Sequence, residues 1–211
     1  MNHTKIEWAT HSWNPIKGLC PEACWYCYGR AMYHRFRWPP ELSWNQEPTE
    51  FQRIPGGSKI FVCSTMELFH PGISERWRRW IFEDIEKHPD LTFIILTKRP
   101  ELIDRAMPPN VWLGVSVEGN RDSWRIAELK KREARVRFVS LEPFLGLFPK
   151  DTRWLDWFII GRLTGHGNRR DPARATLEAI QFGLQMQGVP VFLKNNLAKI
   201  WNGPLIQEYP K

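Results

Sequence analysis

Cysteine is scarce in this sequence, long apolar runs are absent, and no segment repeats. Only four of the 211 residues are cysteines, which argues against the disulfide framework of a small secreted domain. No apolar stretch is long enough to span a bilayer, and the polar first ten residues lack the apolar core of a signal peptide. We therefore expect a reduced, cytoplasmic, soluble protein with no membrane partner.

The charge balance narrows the class of partner. Lys and Arg total 30 against 23 Asp and Glu, which gives a net charge of +7. This excess favours an anionic partner such as nucleic acid, although many basic enzymes gain only solubility from it. The twelve scattered tryptophans suit core packing, with a minority available to stack on bases. The length fits a single domain over residues 1–211.

Three of the four cysteines, Cys20, Cys24 and Cys27, fall within eight residues. Thiolates are soft ligands that favour iron–sulfur clusters, zinc or cuprous copper. A structural zinc site normally closes with a fourth Cys or His, so three ligands with an open position indicate a metal centre that binds something further. The alternative is structural thiols, since cysteines this close form strained disulfides. Cys63 lies in an apolar run and is interpreted as a small buried residue.

Apolar runs alternate with helical patterns along the chain, which predicts βα units and a parallel sheet. Continuous rather than alternating apolarity indicates strands covered on both faces. The predicted strands are residues 12–16, 59–64, 91–96, 111–117, 136–140, 157–160 and 189–193. The predicted helices are one starting near Gly29 and residues 74–88, 100–106, 121–134 and 171–187, the last with Asp171 as N-cap and Pro172 in its first turn. Seven strands are too few for a complete eight-fold barrel and suit an open, partial one.

Two segments fall outside this alternation. Residues 38–57 contain four prolines and paired glycines, and we interpret them as an irregular insertion, either a lid or a plain surface excursion. Residues 198–211 form a short C-terminal tail that either packs against the sheet or frays.

Every predicted strand is followed by polar residues, and the cysteines follow the first strand. Ligand sites of α/β folds gather at the carboxyl ends of the strands. A strand can also turn polar simply by leaving the core, but the pattern recurs at each strand. We therefore expect these side chains to surround the cysteines. They include Ser64, Thr65, Glu67, Lys98, Ser116, Glu118, Ser140, Glu142, Lys194, Asn195 and Asn196.

The cysteine segment resembles the signature of the radical S-adenosylmethionine (SAM) superfamily, including the aromatic residue, Tyr26, before the third cysteine. Nearly the whole chain also resembles a phage- and prophage-associated three-cysteine family of unknown function. The matching segments are residues 4–8, 13–15, 67–70, 96–100, 112–118, 138–143, 155–157 and 189–194. In one departure, residues 161–165 lack a glutamate of the narrower family, which indicates a changed substrate.

The resemblance implies a partial (βα)6 barrel in which the three cysteines hold a 4Fe–4S cluster after the first strand. It implies an enzyme that cleaves SAM with an electron from a flavodoxin- or ferredoxin-type donor and forms a 5′-deoxyadenosyl radical. That radical would modify or repair a substrate. The basic charge favours a nucleotide or nucleic acid, with a peptide or a small metabolite as the alternative. Residues expected to contact SAM are Tyr26, Ser64, Thr65, Glu67, Lys98, Ser116, Glu118, Ser140 and Glu142.

Two other classes of protein remain open. One is a nucleic-acid-binding module with a structural metal or cluster, for which the loop Asn168-Arg169-Arg170 would suit a phosphate backbone. The other is a phage interaction protein that has lost activity. His70 and the group Lys194, Asn195 and Asn196 are further candidates for substrate contact, with loop capping as the alternative for His70.

Overall fold

A computed structural model of the chain describes residues 1–45, 51–146, 152–165 and 170–211. Within these ranges the strands are β1 (Asn2–His3), β2 (His11–Trp13), β3 (Ile16–Lys17), β4 (Ser43–Trp44), β5 (Lys59–Val62), β6 (Thr92–Thr97), β7 (Val111–Ser116), β8 (Val136–Leu141), β9 (Trp157–Ile160) and β10 (Val191–Leu193). The α-helices are α1 (Tyr28–Phe36), α2 (Glu75–Glu86), α3 (Trp124–Lys130) and α4 (Arg174–Met186). Single 3-10 turns occupy Pro100–Leu102, Asn120–Asp122 and Asn195–Leu197.

Eight strands form one mostly parallel sheet in the order β1-β2-β5-β6-β7-β8-β9-β10. From β2 onward each strand pairs in parallel with the next sheet strand in the chain, and β1 pairs antiparallel with β2. Between the described residues of β1 and β10 no pairing closes the sheet into a barrel. The predicted α/β fold with a parallel sheet is confirmed.

The predicted first strand, residues 12–16, is wrong as one continuous element. The chain leaves the main sheet after Trp13, and Ile16 starts β3, which pairs with β4 in a separate two-stranded sheet. Pro15 has no N–H to contribute to a ladder, and Asn14 uses its side chain to bind Ser64. These two residues therefore turn the chain from the sheet toward the cysteines.

Two predicted helices differ from the structure. The N-cap of α4 is Ala173 rather than Asp171, because the Asp171 carboxylate instead lies 2.8 Å from the Arg162 guanidinium. Residues 100–106 form only the single 3-10 turn that starts at Pro100.

The sheet has a hydrophobic cluster on each face. One face packs against helices α2, α3 and α4 through residues such as Phe82, Leu129 and Ile180. The other carries an aromatic cluster of Trp8, Phe61, Ile94, Phe138, Trp157, Ile159 and Phe192. In this cluster the Phe138 ring crosses Gly114 so closely that a Cβ there would lie 2.3 Å from it. Burial on both faces explains the continuous apolarity of the strands.

The sheet is strongly curved around the aromatic cluster. Strands β5 and β9 are four positions apart, which would be about 19 Å in a flat sheet. Yet Trp8 has ring centroids 4.7 Å from Phe61 of β5 and 6.3 Å from Trp157 of β9. The Glu7 carboxylate also accepts a hydrogen bond of 2.9 Å from the Asn195 amide, just after β10. The segment before β2 therefore bridges the two ends of the sheet.

The C-terminal residues pack against the last strand. The Leu193 amide donates to the Ile206 carbonyl at 2.7 Å, and the Glu208 amide donates to the Val191 carbonyl at 2.9 Å. Tyr209 stacks on Trp157 with ring centroids 5.4 Å apart. In the described ranges, no helix combines the length and the apolar character needed to cross a membrane.

The irregular segment also contacts the core where it is described. Strand β4 places Trp44 against Trp80 of α2, with ring centroids 5.1 Å apart. Phe51 is buried against Trp13, at 4.8 Å between centroids. Residues 46–50 lie outside the described ranges, and the lid role of residues 38–57 stays a prediction.

Candidate metal and cofactor site

The cysteine loop runs from Gly18 to the first turn of α1. Gly18 has φ +111°, and a Cβ there would lie 2.5 Å from the Glu41 carbonyl oxygen, so only glycine fits. At the other end Cys27 is the N-cap of α1, where its Sγ accepts a hydrogen bond of 3.4 Å from the Arg30 amide. The Cys20 Sγ accepts one of 3.3 Å from the Glu67 amide. Two of the three sulfurs thus receive backbone N–H groups, which stabilise negative charge on sulfur.

One cavity of about 170 Å³ collects most of the predicted site. All three cysteines line it, together with Tyr26, Ser64, Thr65, Glu67, Lys98 and Ser116. Cys63, which is buried as predicted, also contributes to the lining. Partial burial raises the pKa of the Cys20 and Cys24 thiols, although the Lys98 charge opposes this at Cys24. These thiols would therefore be protonated near neutral pH unless a positive centre binds them.

Glu67 is a buried carboxylate that receives only neutral donors. Its Oε1 accepts hydrogen bonds from the Thr97 hydroxyl at 2.5 Å and the Phe69 amide at 3.2 Å, and its Oε2 accepts one from the Lys98 amide at 2.7 Å. Burial raises the pKa of Glu67, and these hydrogen bonds offset only part of the effect. Among the described residues Glu67 has no ion-pair partner.

Glu118 lies in the opposite environment. Its Oε1 accepts from the Tyr26 hydroxyl and the Lys98 ammonium, and its Oε2 lies 2.9 Å from the Arg125 guanidinium. Burial alone would raise the pKa of Glu118, but the charge of Lys98 and the hydrogen bonds of Lys98 and Tyr26 lower it to about 2. Because Tyr26 belongs to the cysteine loop, this network ties the loop to the end of β7.

Three predicted cofactor residues do not line the cavity: Glu118, Ser140 and Glu142. Ser140 is 1% exposed, and its hydroxyl has no hydrogen-bond partner within the described residues. Glu142 pairs with the Lys194 ammonium. Gly161 lies against this pair, since a Cβ there would be 2.9 Å from the Glu142 Oε1 and 3.0 Å from the Lys194 Cδ.

The further candidates for substrate contact bind other parts of the protein. The His70 Nδ1 accepts a hydrogen bond of 3.0 Å from the Gly72 amide, which matches the loop-capping interpretation. Asn196 exchanges hydrogen bonds with the backbone of Arg162. Asn168 and Arg169 lie outside the described residues, whereas the Arg170 guanidinium lies 4.5 Å from the Trp25 ring centroid.

The family model described as "Protein of unknown function (DUF5131)" matches residues 3–198. The chain belongs to this family. The DUF5131 match spans the cysteine loop, the whole cavity lining and the Glu142–Lys194 pair. No curated protein and no solved structure shows significant similarity to the chain.

The donor set of this DUF5131 chain fits a multi-iron cluster chemically. Three thiols share one cavity, two of their sulfurs receive N–H groups, and thiolates are the ligands that iron–sulfur clusters use. In the described part of the chain, no three His, Cys, Asp or Glu side chains are arranged to hold a single metal ion.

Sequence reasoning missed three residues that organise the site. The Asn14 side chain exchanges hydrogen bonds of 3.0 and 3.1 Å with the Ser64 hydroxyl. Arg125 binds Glu118, and Tyr28 lines the cavity although 60% of its surface is exposed. Asn14 could have been found from the sequence, because it is a polar residue that directly follows the last residue of β2. Arg125 could not have been found, since one arginine among the charges of α3 cannot be distinguished by pattern.

Proposed function

We propose that this chain is a radical SAM enzyme that holds a 4Fe–4S cluster through Cys20, Cys24 and Cys27. The observation that carries the proposal is that the three cysteines share one cavity with six of the nine residues expected to contact SAM. When bound, such a cluster delivers one electron that splits SAM into methionine and a 5′-deoxyadenosyl radical, which removes a hydrogen atom from the substrate. A flavodoxin- or ferredoxin-type donor in the cytoplasm would supply the electron.

Glu67 is the residue best suited to bind the SAM amino group. Its carboxylate is 6% exposed and has only neutral donors among the described residues, so an approaching ammonium would provide the missing charge. Ser64 and Thr65 lie beside it at the cavity wall, where Asn14 accepts from the Ser64 hydroxyl at 3.1 Å. These neutral groups would orient the polar end of SAM.

Tyr26, Lys98, Glu118 and Arg125 have a different proposed role. Their charges balance once Asp122 is included, 3.2 Å from the Arg125 guanidinium. The Lys98 ammonium lies 2.8 Å from the Tyr26 hydroxyl, and the Arg125 guanidinium lies 2.9 Å from the Glu118 carboxylate. They would hold the cysteine loop at a fixed distance from β7. A preorganised loop avoids the conformational cost of ordering its ligands around the cluster.

The curvature of the sheet supports a partial (βα)6 barrel. Seven strands follow one another in parallel, and Glu7 reaches from the segment before β2 to Asn195 after β10. The proposed cluster loop would then follow the first parallel strand, at the carboxyl-end rim where such folds place their ligands.

Anaerobic reconstitution with iron and sulfide tests this function. We expect about four irons per chain, a broad absorbance near 400 nm typical of iron–sulfur clusters, and release of 5′-deoxyadenosine after SAM and a reductant are added. Cys20→Ala, Cys24→Ala and Cys27→Ala should each lose all three signals, and Cys63→Ala should keep them. Firm retention of iron without SAM cleavage would instead support a nucleic-acid-binding or phage interaction protein with a structural cluster.

A further inference from the structure

The exposed face of α1 carries large apolar side chains at intervals of one helical turn. Tyr28, Met32 and Phe36 recur every four residues and are 60%, 37% and 52% exposed. Trp38, 44% exposed, continues the row and stacks on Phe36 with ring centroids 5.3 Å apart. We call Tyr28, Met32, Phe36 and Trp38 the α1 stripe. Within the described residues no element of the chain covers it.

The surroundings of the stripe are basic. Residues 23–40 contain no Asp or Glu. His34, Arg35 and Arg37 are exposed between the aromatic residues, and the Arg35 guanidinium lies 5.3 Å from the Phe36 ring centroid. Two acids flank this segment: Glu22 pairs with the Arg99 guanidinium at 2.8 Å, and Glu41 is exposed beyond Pro40. A positive, aromatic surface favours an anionic ligand with flat rings over an acidic peptide, which offers charge without stacking faces.

The stripe begins at the cavity itself. Tyr28, its first member, is also part of the cavity lining. On the same loop the Trp25 ring is 55% exposed and lies under the Arg170 guanidinium. In the proposed function the cluster and SAM occupy the cavity of about 170 Å³. A polymeric ligand would therefore pass along the surface and place only one unit at the cavity mouth.

We propose that the α1 stripe is the path of a single-stranded nucleic acid, whose bases stack on Phe36 and Trp38 while Arg35 and Arg37 meet its phosphates. This inference rests on the proposed function, and it names the substrate class of that site. Tyr28 would receive the base nearest the cavity. A duplex cannot use the stripe in this way, because its bases are already stacked on one another.

Fluorescence anisotropy with labelled 12-nucleotide oligothymidine and oligouridine tests the path on the reconstituted protein. Phe36→Ala and Trp38→Ala should each weaken binding on the order of 10-fold, whereas Phe182→Ala, a 61% exposed phenylalanine on α4, should not. Arg35→Glu should weaken binding and make its salt dependence shallower, by a slope of about 0.7 for each phosphate that the protein no longer neutralises. Arg79→Glu on α2 is the matched charge control. Thermal melting and iron content would be measured to check that each variant is folded and holds its cluster.

The outcomes separate this path from the proposed function. Binding that weakens only in the stripe variants supports the path. Tighter binding of oligothymidine would identify DNA as the ligand, and tighter binding of oligouridine would identify RNA. Equal binding of a 12-base-pair duplex, equal effects in the control variants, or full competition by polyglutamate of the same charge would overturn it. If the unmodified protein cleaves SAM but binds no oligonucleotide, the path fails and the enzyme proposal stands. Stripe-dependent binding without SAM cleavage supports the path and refutes the enzyme proposal.

Discussion

Glu67 and Glu118 both lie beside the cysteine loop, one after β5 and the other after β7, but their surroundings are opposite. Glu67 receives two amides and a hydroxyl, whereas Glu118 contacts Lys98, Arg125 and a tyrosine. Burial raises the pKa of Glu67. The charge of Lys98 and the hydrogen bonds of Lys98 and Tyr26 outweigh burial at Glu118 and lower its pKa to about 2. The comparison shows that a strand-end carboxylate can be held either among cations or by neutral donors alone.

Glu118→Gln should have the largest effect on stability. The substitution leaves the buried Lys98 without its counter-charge and leaves Arg125 with only Asp122, at 3.2 Å. The lowered pKa of Glu118 corresponds to about 3 kcal/mol of unfolding free energy. Urea denaturation measures the loss. Glu83→Gln, at an exposed pair 3.8 Å from Arg79, should change stability by less than about 0.5 kcal/mol. An equal loss of unfolding free energy in the two variants would show that the contacts of Glu118 do not stabilise the fold more than an exposed ion pair does.

The two carboxylates should also respond to pH with opposite signs. The pKa of Glu118 is lower in the folded state than in the unfolded state, so its contribution is present above the ordinary value of 4.5 and disappears as the pH falls toward 2. The pKa of Glu67 is raised on folding, so ionisation of Glu67 costs stability as the pH rises above that ordinary value.

Denaturation of the two variants between pH 3 and pH 7 measures this contrast. The stability gap between the unmodified protein and Glu118→Gln should narrow on acidification. Glu67→Gln should gain stability relative to the unmodified protein as the pH rises. Parallel profiles for the two variants would contradict the assigned environments.

Gly161→Ala extends the comparison to a third carboxylate, Glu142. A Cβ at this position would lie 2.9 Å from the Glu142 Oε1 and 3.0 Å from the Lys194 Cδ. The flexible ends of this ion pair must move to make room, so the cost lies toward the lower end of overpacking, about 1.5 kcal/mol. Gly119→Ala is the matched control, because a Cβ there meets no atom closer than 3.8 Å. Thermal melting should show a clear decrease for the first variant and almost none for the second.

Glu67→Gln should have a smaller effect, and that effect should appear in ligand binding. Loss of the negative charge should weaken SAM binding to the reconstituted protein by about tenfold, or 1.4 kcal/mol, as measured by calorimetry. Glu22→Gln removes a cavity carboxylate that already pairs with Arg99 and should weaken binding less. Unchanged affinity in Glu67→Gln would remove this residue from the SAM site.

The sequence predicted the elements of the sheet better than the geometry of its rim. Buried parallel strands produce apolar runs that any reader can find, and polar residues after them correctly located Ser64, Thr65 and Glu67 at the cavity. The curvature of the sheet has no local signal in the sequence. Ser140 and Glu142 were therefore expected to line the cavity, but in the structure they do not. Asp171 looked like an N-cap, but its partner Arg162 is nine residues away and belongs to another strand end.

The C-terminal residues cover strand β10, which lies at one edge of the sheet. Residues Ile206 and Glu208 occupy backbone groups of β10 that would otherwise form an open edge. An unpaired edge is a template for strand addition by a second molecule and hence for aggregation. Since Tyr209 also covers Trp157, removing the last six residues would expose an aromatic surface beside a free edge. By covering this edge, residues 206–209 remove a place where a second copy of the chain could add a strand.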